Sequence, residues 1–389
     1  MCIRDSCSIL TIFLEFSLLA GAQEWKVVRE NPQKAFPKTV AAGNYSGIAH
    51  LHDDIYAVVS DKSDSALYFN FRIQVNPKTG ELEQVENLGF TERTDGTLND
   101  CKPWQGQEKG FDHEAIVKVS DSTLVIASEG YCRLKEYSIL PISADAAKVG
   151  YQQNLWEIRW ASSDFYPNYN FESLAFDSVR QYLWTIPEST LRKDGQSATP
   201  QNGLANQLRL MMLDWGKIKE NRNKEDNGKE DSSEQVSSKK GPRYMTIYAY
   251  QMDQPSTHKK ADIYVMGVSE FCALPDGQLL VLEREAFIPK IKIGAFCKCK
   301  LYLVNPLNSE NFSMKENISS DTPFLKKRLL TEWKTGLSLS KRSFANYEGM
   351  CLGPKLEDGS QVVILLSDSQ DQYAGVLKDW FKTIVIRKE

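Results

Sequence analysis

The sequence Phe171-Glu172-Ser173-Leu174-Ala175, followed after a short gap by Tyr182-Leu183-Trp184-Thr185-Ile186-Pro187-Glu188, contains the pattern that decides the fold. A short apolar segment with an acid near its start leads through a turn into an apolar strand, which ends in a second acid. The same pattern recurs four more times, with copies that begin at Ser46, His113, Ser269 and Tyr347. Each copy is predicted to be a β-hairpin.

Further strand candidates lie between the hairpins, so that each repeat supplies about four antiparallel strands, the content of one propeller blade. Repeats of this kind in a chain of 389 residues predict an all-β propeller. We count about five motif-bearing, four-stranded blades, and a sixth blade without the motif is the alternative. The last repeat has only residues 381–386 after its hairpin, so residues 25–29 are expected to pair there and close the ring.

The composition is that of an ordinary globular protein, with 41% hydrophobic residues, 25% charged residues and a formal net charge of -4. Basic residues are scattered among acids, whereas a nucleic-acid-binding protein is expected to concentrate them on one face. Beyond the N-terminus no apolar run reaches the roughly 20 residues that span a bilayer. We therefore expect a small-molecule substrate, no nucleic acid, no membrane span and a monomeric protein.

Residues 1–22 are interpreted as a signal peptide, because residues 9–20 are mostly apolar and Ala20-Gly21-Ala22 offers small residues for cleavage. Glu15 interrupts the apolar run, so a damaged start or a buried first helix is the alternative. The interpretation predicts a secreted or periplasmic protein whose mature domain is residues 23–389. Within that domain, residues 216–241 are mostly charged and polar, and we expect them to form a disordered insertion.

The acids of the repeated motif are expected to meet. In an antiparallel hairpin the start of one strand lies beside the end of its partner, and the first strands of propeller blades line the central channel. Nine carboxylates should then converge on one mouth of the channel: Asp61, Glu114, Glu129, Glu172, Glu188, Glu270, Glu283, Glu348 and Asp368. Acids packed this closely require protons, basic partners or a cation.

An oxygen-rich cluster of this kind suits a hard divalent cation, most of all Ca²⁺. The metal ligands are predicted among Glu114, Glu172, Glu270, Glu348 and Asp368. We expect Glu172 and Glu348 to act in catalysis, with Arg284 gripping an anionic substrate and His113 as the candidate acid–base imidazole. The alternative is that the acids are solvated strand ends or join neighbouring blades, and that His113 is a packed residue. The chain has no dinucleotide or phosphate-cradling motif, so no organic cofactor is expected.

These motifs resemble the phytase-like (esterase-like phytase) family over nearly the whole mature chain. The residues that carry the resemblance are Ser46-Gly47-Ile48 with Ser60-Asp61, Glu114-Ala115-Ile116 with Ser128-Glu129-Gly130, Asn170 to Ala175 with Glu188-Ser189-Thr190-Leu191 and Asp194-Gly195, Leu282-Glu283-Arg284, and Asn346-Tyr347-Glu348-Gly349 with Ser367-Asp368-Ser369-Gln370. The resemblance implies a propeller, usually exported, that hydrolyses esters or phosphate esters. The chain departs from the family pattern at Ser369-Gln370, where Asp-Asn is common, and this change bears on Asp368 as a ligand.

The leading hypothesis is a secreted, cation-dependent hydrolase of phosphate or carboxylate esters. Two alternatives stay open. One is a non-catalytic propeller that binds a ligand or partner and holds a structural cation. The other is a lactonase-type propeller, which would share the metal and prefer uncharged lactones.

Overall fold

The computed structural model of the chain describes residues 23–61, 68–90, 112–130, 132–139, 156–227, 244–338, 342–370 and 377–389. The predicted signal peptide lies outside these residues. In the described part of the chain, no helix is both long and apolar enough to cross a membrane.

Almost all of the regular structure is antiparallel β-sheet. Two strands near the N-terminus are β1 (Trp25–Glu30) and β2 (Lys34–Ala35). Blade I contains β3 (Tyr45–His52), β4 (Ile55–Ser60), β5 (Phe69–Val75) and β6 (Leu82–Phe90). Blade II contains β7 (His113–Lys118), β8 (Thr123–Ser128), β9 (Arg133–Ser138) and β10 (Glu157–Arg159).

Blade III contains β11 (Phe171–Asp177), β12 (Tyr182–Pro187), β13 (Gln207–Asp214) and β14 (Met245–Gln251). Blade IV contains β15 (Ile263–Ala273), β16 (Leu279–Ile288), β17 (Phe296–Val304) and β18 (Lys327–Gly336). Blade V contains β19 (Asn346–Lys355), β20 (Gln361–Asp368) and β21 (Trp380–Lys388). Short 3₁₀ turns cover Ser162–Asp164 and Pro306–Asn308.

The five blades form a closed ring, which confirms the predicted five-bladed propeller. The first strand of each blade is innermost, and each inner strand contacts the inner strands of both neighbouring blades, so that β3 lies between β7 and β19. The N-terminal strand β1 pairs antiparallel with β21 and supplies the outer strand that blade V lacks, while β2 also pairs with β21. The ring is therefore closed by the N-terminal strand, as the sequence predicted.

The apolar core is divided among the interfaces between blades. Five clusters of buried side chains each join two neighbouring blades. Representative pairs across the interfaces are Ala57 and Ile126 (I–II), Leu134 and Phe171 (II–III), Trp184 and Phe271 (III–IV), Leu301 and Val363 (IV–V), and Phe381 and Phe71 (V–I). Because the strands of the inner hairpins are buried on both faces, their sequences are mostly apolar.

The inner strands are irregular where they begin. The register of four inner strands with their partners shifts at their first residues, for example between Phe171 and Ser173 in β11 and between Tyr347 and Gly349 in β19. In β15, which extends further at the same end, the shift lies between Val268 and Glu270. Such a β-bulge leaves one residue unpaired and turns its side chain away from the regular alternation. The bulges therefore re-aim side chains at the end of the channel where the inner strands begin, which we call the mouth.

The charged segment 216–241 is ordered over its first half, contrary to the prediction. Helix α1 (Trp215–Asn227) begins directly after β13, and residues 228–243 lie outside the described residues. Trp215 is fully buried against blades II and III, and Asp214 accepts the N–H of Lys217 at 3.0 Å as an N-cap. Arg222 also pairs with Glu136 of blade II at 2.8 Å. One buried tryptophan and a tertiary ion pair thus order a segment whose composition alone predicts disorder.

Candidate active site at the mouth of the propeller

The ring repeats three structurally equivalent positions at the mouth. The bulge residue of the five inner strands is Ser46 (with Gly47), Glu114, Glu172, Ser269 and Glu348. The residue at the mouth end of the second strand is Asp61, Glu129, Glu188, Arg284 and Asp368. The residue that pairs with it, at the start of the inner strand, is Asn44, Asp112, Asn170, Gly267 and Asn346. Blade IV thus contributes an arginine where the other four blades contribute acids.

Acids from four blades lie within electrostatic range of one another. Burial raises the pKa of Glu114 well above its usual range, and Asp61, Glu172, Asp112 and Glu348 raise it further. Burial, together with Glu348 and Asp61, also raises the pKa of Asp368. The predicted convergence therefore holds for Asp61, Glu114, Glu129, Glu172, Glu188, Glu348 and Asp368, which Asp112 joins.

Three of these acids offer a ligand set between blades I and II. One carboxylate oxygen each from Asp61, Asp112 and Glu114 can be chosen so that all three lie within 4.8 Å of one another, and the three residues are half-buried. Two oxygens that share one ion at metal–oxygen distances of about 2.4 Å lie at most about 4.8 Å apart, and all three pairs meet this condition. Of the predicted ligands, only Glu114 belongs to this group.

The opposite side of the mouth is organised around Arg284. Its guanidinium is 3% exposed and pairs with three glutamates: Glu172 at 3.2 Å, Glu188 and Glu348. Asn346 also accepts from Arg284 at 3.2 Å and donates to Glu348 at 2.6 Å. Glu172 and Glu348, predicted as metal ligands, are thus held by an internal cation.

Gly267 explains how Glu188 reaches this arginine. A Cβ atom at position 267 would lie 2.6 Å from the backbone oxygen of Glu188 and 2.3 Å from its Cγ. Gly267 pairs with Arg284 across blade IV. Because Gly267 has no side chain, the backbone of blade III at Glu188 can lie beside Arg284.

Two of the nine predicted acids point elsewhere. The bulge residue of β15 is Ser269, so Glu270 is one residue further along the strand. Glu270 is 1% exposed and accepts the backbone N–H groups of Leu174 at 2.9 Å and Phe271 at 3.0 Å, which joins the inner strands of blades III and IV. Glu283 precedes Arg284 and accepts from Tyr250 at 2.7 Å and Lys327 at 2.6 Å between the same two blades.

His113 lies behind the mouth. Its ring is fully buried, and Nδ1 is 2.9 Å from the hydroxyl of Ser128 on the neighbouring strand. Burial lowers the pKa of His113 to about 3, and Arg133 and Lys135 lower it further. The imidazole is therefore neutral at neutral pH and inaccessible, and the geometry does not support the predicted acid–base role.

The family departure at Ser369-Gln370 has a structural consequence. Asp368 accepts the backbone N–H of Gln370 at 2.8 Å through one oxygen and the Gln370 side-chain amide through the other. Both oxygens of Asp368 are therefore engaged by the residue that replaces the family's asparagine, and Asp368 is less available as a ligand than predicted.

Asp112 is the site residue that the sequence reading missed. It lies one residue before the first strand of its hairpin, outside the repeated motif. Two features could have identified it. Asn170 and Asn346 lie two residues before Glu172 and Glu348, as Asp112 does before Glu114. An acid at this position also lies beside two other acids, Asp61 and Glu114. Its backbone φ of 49° is in the left-handed region, which Asp and Asn tolerate best.

Comparison with solved structures returns other β-propellers at low sequence identity. The Dos1 propeller shares 10% identity at a TM-score of 0.29, and the match covers 87% of this chain and 68% of that one. The Cps50 (Swd1) propeller domain from Myceliophteria thermophila shares 8% identity at a TM-score of 0.29, covering 91% and 99%. A DUF4221 family member from Bacteroides vulgatus shares 8% identity at a TM-score of 0.34, covering 95% and 99%.

A search of curated protein sequences found no match to the chain. The family model described as "Phytase-like: Esterase-like activity of phytase" matches residues 40–370, a span that contains all five hairpins and every mouth residue named above. The chain therefore belongs to the phytase-like family of β-propellers.

Proposed function

We propose that this protein is an exported hydrolase of phosphate or carboxylate esters that works with a hard divalent cation, Ca²⁺ above all, at the mouth of the propeller. The observation that carries the proposal is the division of the mouth into two halves. One half presents the oxygens of Asp61, Asp112 and Glu114 within 4.8 Å of one another. The other half holds a buried arginine among three glutamates.

The residues of the first half fit a hard cation. All three donors are carboxylates, without the His or Cys that softer metals prefer. Burial and mutual repulsion raise the pKa of Glu114, so that the site takes up protons when no cation is bound. A cation bound there supplies positive charge that polarises a phosphoryl or acyl oxygen and lowers the pKa of a coordinated water.

Arg284 supports the second half by holding its glutamates in place. A single guanidinium balances only part of the charge of Glu172, Glu188 and Glu348. The quartet therefore keeps a net negative charge when all three are ionised, which suits it to handle protons rather than to bind a phosphate directly. We infer that the anionic part of a substrate lies toward Asp61, Asp112 and Glu114, where the cation offsets their charge.

Glu348 is the residue best placed to exchange a proton with the reacting group. Burial raises its pKa to about 7, with Arg284 acting against the rise. An acid–base group is most effective when its pKa lies near the operating pH. We assign Glu348 as the general base or acid. Glu172 pairs with the same arginine, and we assign it the role of keeping the pKa of Glu348 near the operating pH.

The test combines cation binding with hydrolysis. Full-length protein would be titrated with Ca²⁺ by calorimetry and assayed with p-nitrophenyl phosphate, bis-p-nitrophenyl phosphate and p-nitrophenyl acetate, before and after EDTA. We expect Asp112→Asn and Glu114→Gln to lose both Ca²⁺ binding and activity, and Glu348→Gln to lose activity while it still binds Ca²⁺. The matched control is Asp121→Asn, an exposed acid of the same blade.

Two results would count against the proposal in different ways. Full activity in EDTA and in the Asp112→Asn variant would remove the cation from the mechanism. A Ca²⁺-dependent rise in melting temperature with no hydrolysis of any ester would leave a ligand-binding propeller with a structural cation.

A further inference from the structure

Blade IV projects beyond the mouth. Strands β15 and β16 stay paired for four residues past the Gly267–Arg284 pair, as far as Ile263 and Ile288. At about 3.3 Å per residue, this places the end of the ribbon roughly 13 Å above the arginine. The chain then turns through residues 289–294 into β17. This turn, with the segment 258–262 that leads into β15, forms what we call the blade IV tip.

The blade IV tip exposes apolar side chains. Ile291 is 77% exposed, Ile263 49% and Ile293 48%. They account for three of the eight large hydrophobic residues that are exposed in the described part of the chain, and Ile291 is the most exposed of all. Single exposed apolar residues are ordinary on a protein surface, but three at one projecting point mark an interaction site.

Positive charge surrounds these isoleucines. Lys259, Lys260 and Lys290 are exposed. Lys292 pairs with Asp262 at 3.3 Å, and Asp262 is the one acid in residues 258–263 and 289–294. Four lysines and one aspartate give the tip a net charge of +3. The whole chain has a formal net charge of -4, so the residues outside the tip carry a net charge of -7.

We propose that the blade IV tip binds an anionic lipid surface, with the isoleucines at the acyl boundary and the lysines among the headgroups. The tip combines exposed isoleucines with a net positive charge, which complements an apolar layer bordered by anionic headgroups. Bilayers accept such a surface, because apolar side chains enter the headgroup region and each nearby lysine adds attraction to anionic lipids. Binding there would turn the mouth of the propeller toward the lipid surface. The proposal concerns binding alone and stands apart from the proposed hydrolysis.

The test is flotation of the full-length protein with vesicles of phosphatidylcholine, and with vesicles that also contain phosphatidylglycerol. We expect binding to the anionic vesicles only, weakened by added salt. Ile291→Ser with Ile293→Ser should abolish binding, and Lys290→Gln with Lys292→Gln should weaken it about tenfold or more. The control is Val179→Ser, which removes an apolar side chain that is 69% exposed on the opposite face of the propeller.

Three outcomes would overturn the inference. The first is failure to float with anionic vesicles, and the second is undiminished binding by the double isoleucine variant. In the third, wild type elutes as a dimer by size exclusion and the isoleucine variant as a monomer, without lipid binding by either, which would assign the tip to a second copy of the chain. Circular dichroism of each variant separates these results from misfolding.

Discussion

The pH dependence of a Glu348→Gln variant tests whether the mouth carries more negative charge than Arg284 can balance. Burial raises the pKa of Glu348 from 4.5 to about 7; Arg284 lowers it, while Asp61 and Glu188 raise it. The side chain is 17% exposed, so solvent screens these interactions only weakly. Glu348→Gln removes the ionisable group and keeps nearly the same size and shape.

The sign of the effect follows from proton linkage. An acid whose pKa is higher in the folded protein contributes stability at low pH, and this stability is lost as the pH rises through the folded pKa. One pH unit of difference corresponds to about 1.4 kcal/mol. Between about pH 4 and about pH 8, the metal-free wild type should therefore lose on the order of 3 kcal/mol through Glu348. The Glu348→Gln variant does not lose this stability. The difference between its free energy of unfolding and that of wild type should therefore increase by the same amount as the pH rises over this range.

The measurement is urea denaturation of both proteins in EDTA across this pH range, with the exposed Glu310→Gln as control. Because only the difference between variant and wild type is used, the titration of buried groups that do not interact with Glu348, such as His113, cancels. Saturating Ca²⁺ should reduce the difference, because a cation at Asp61 offsets the repulsion. A difference that falls with pH would refute the reasoning, since it would mean that Glu348 and Arg284 form a simple stabilising ion pair.

Three further variants test the architecture. Arg284→Met should lower the free energy of unfolding by about 3–5 kcal/mol near pH 8 and by less near pH 5, where Glu172 and Glu348 are protonated; urea titrations with equal losses at both pH values would contradict this. Gly267→Ala should lower it by about 1–3 kcal/mol through collision with Glu188, while Gly216→Ala, whose Cβ would meet only ordinary contacts at 3.5 Å, should change it little. Deletion of residues 23–30 should lower the melting temperature and promote aggregation by exposing the edge of β21; a monomeric protein of unchanged melting temperature would argue against ring closure by β1.

The fold could be predicted because its determinants are local and repeated. Each hairpin consists of two apolar runs joined by a turn, and five such units can bury their surfaces only against one another. The missing outer strand of the last repeat likewise pointed to the N-terminal segment. Helix α1 could not be predicted, because the contacts that order it, Trp215 with its apolar neighbours and Arg222 with Glu136, join residues distant in sequence.

The site was harder to predict, because it depends on where each strand departs from regular alternation. In blade IV the motif places Glu270 in line with Glu172 and Glu348, but the bulge falls on Ser269. A shift of one residue turns a strand side chain to the opposite face. Glu270 and Glu283 accordingly join neighbouring blades, while Arg284 enters the mouth.

The position of the bulge at Ser269 also makes the two sides of the mouth differ in charge. Had the bulge fallen on Glu270, blade IV would have presented another acid, and Glu172, Glu188 and Glu348 would have lost the arginine that pairs with all three. The offset instead places Arg284 among them, so that the charge on this side is partly balanced. On the other side, Asp61, Asp112 and Glu114 each place a carboxylate oxygen within 4.8 Å of the other two. The same irregularity that defeats motif alignment therefore places the arginine-centred glutamates on one side of the mouth and the carboxylate triangle on the other, the two groups to which we have assigned proton transfer and cation binding.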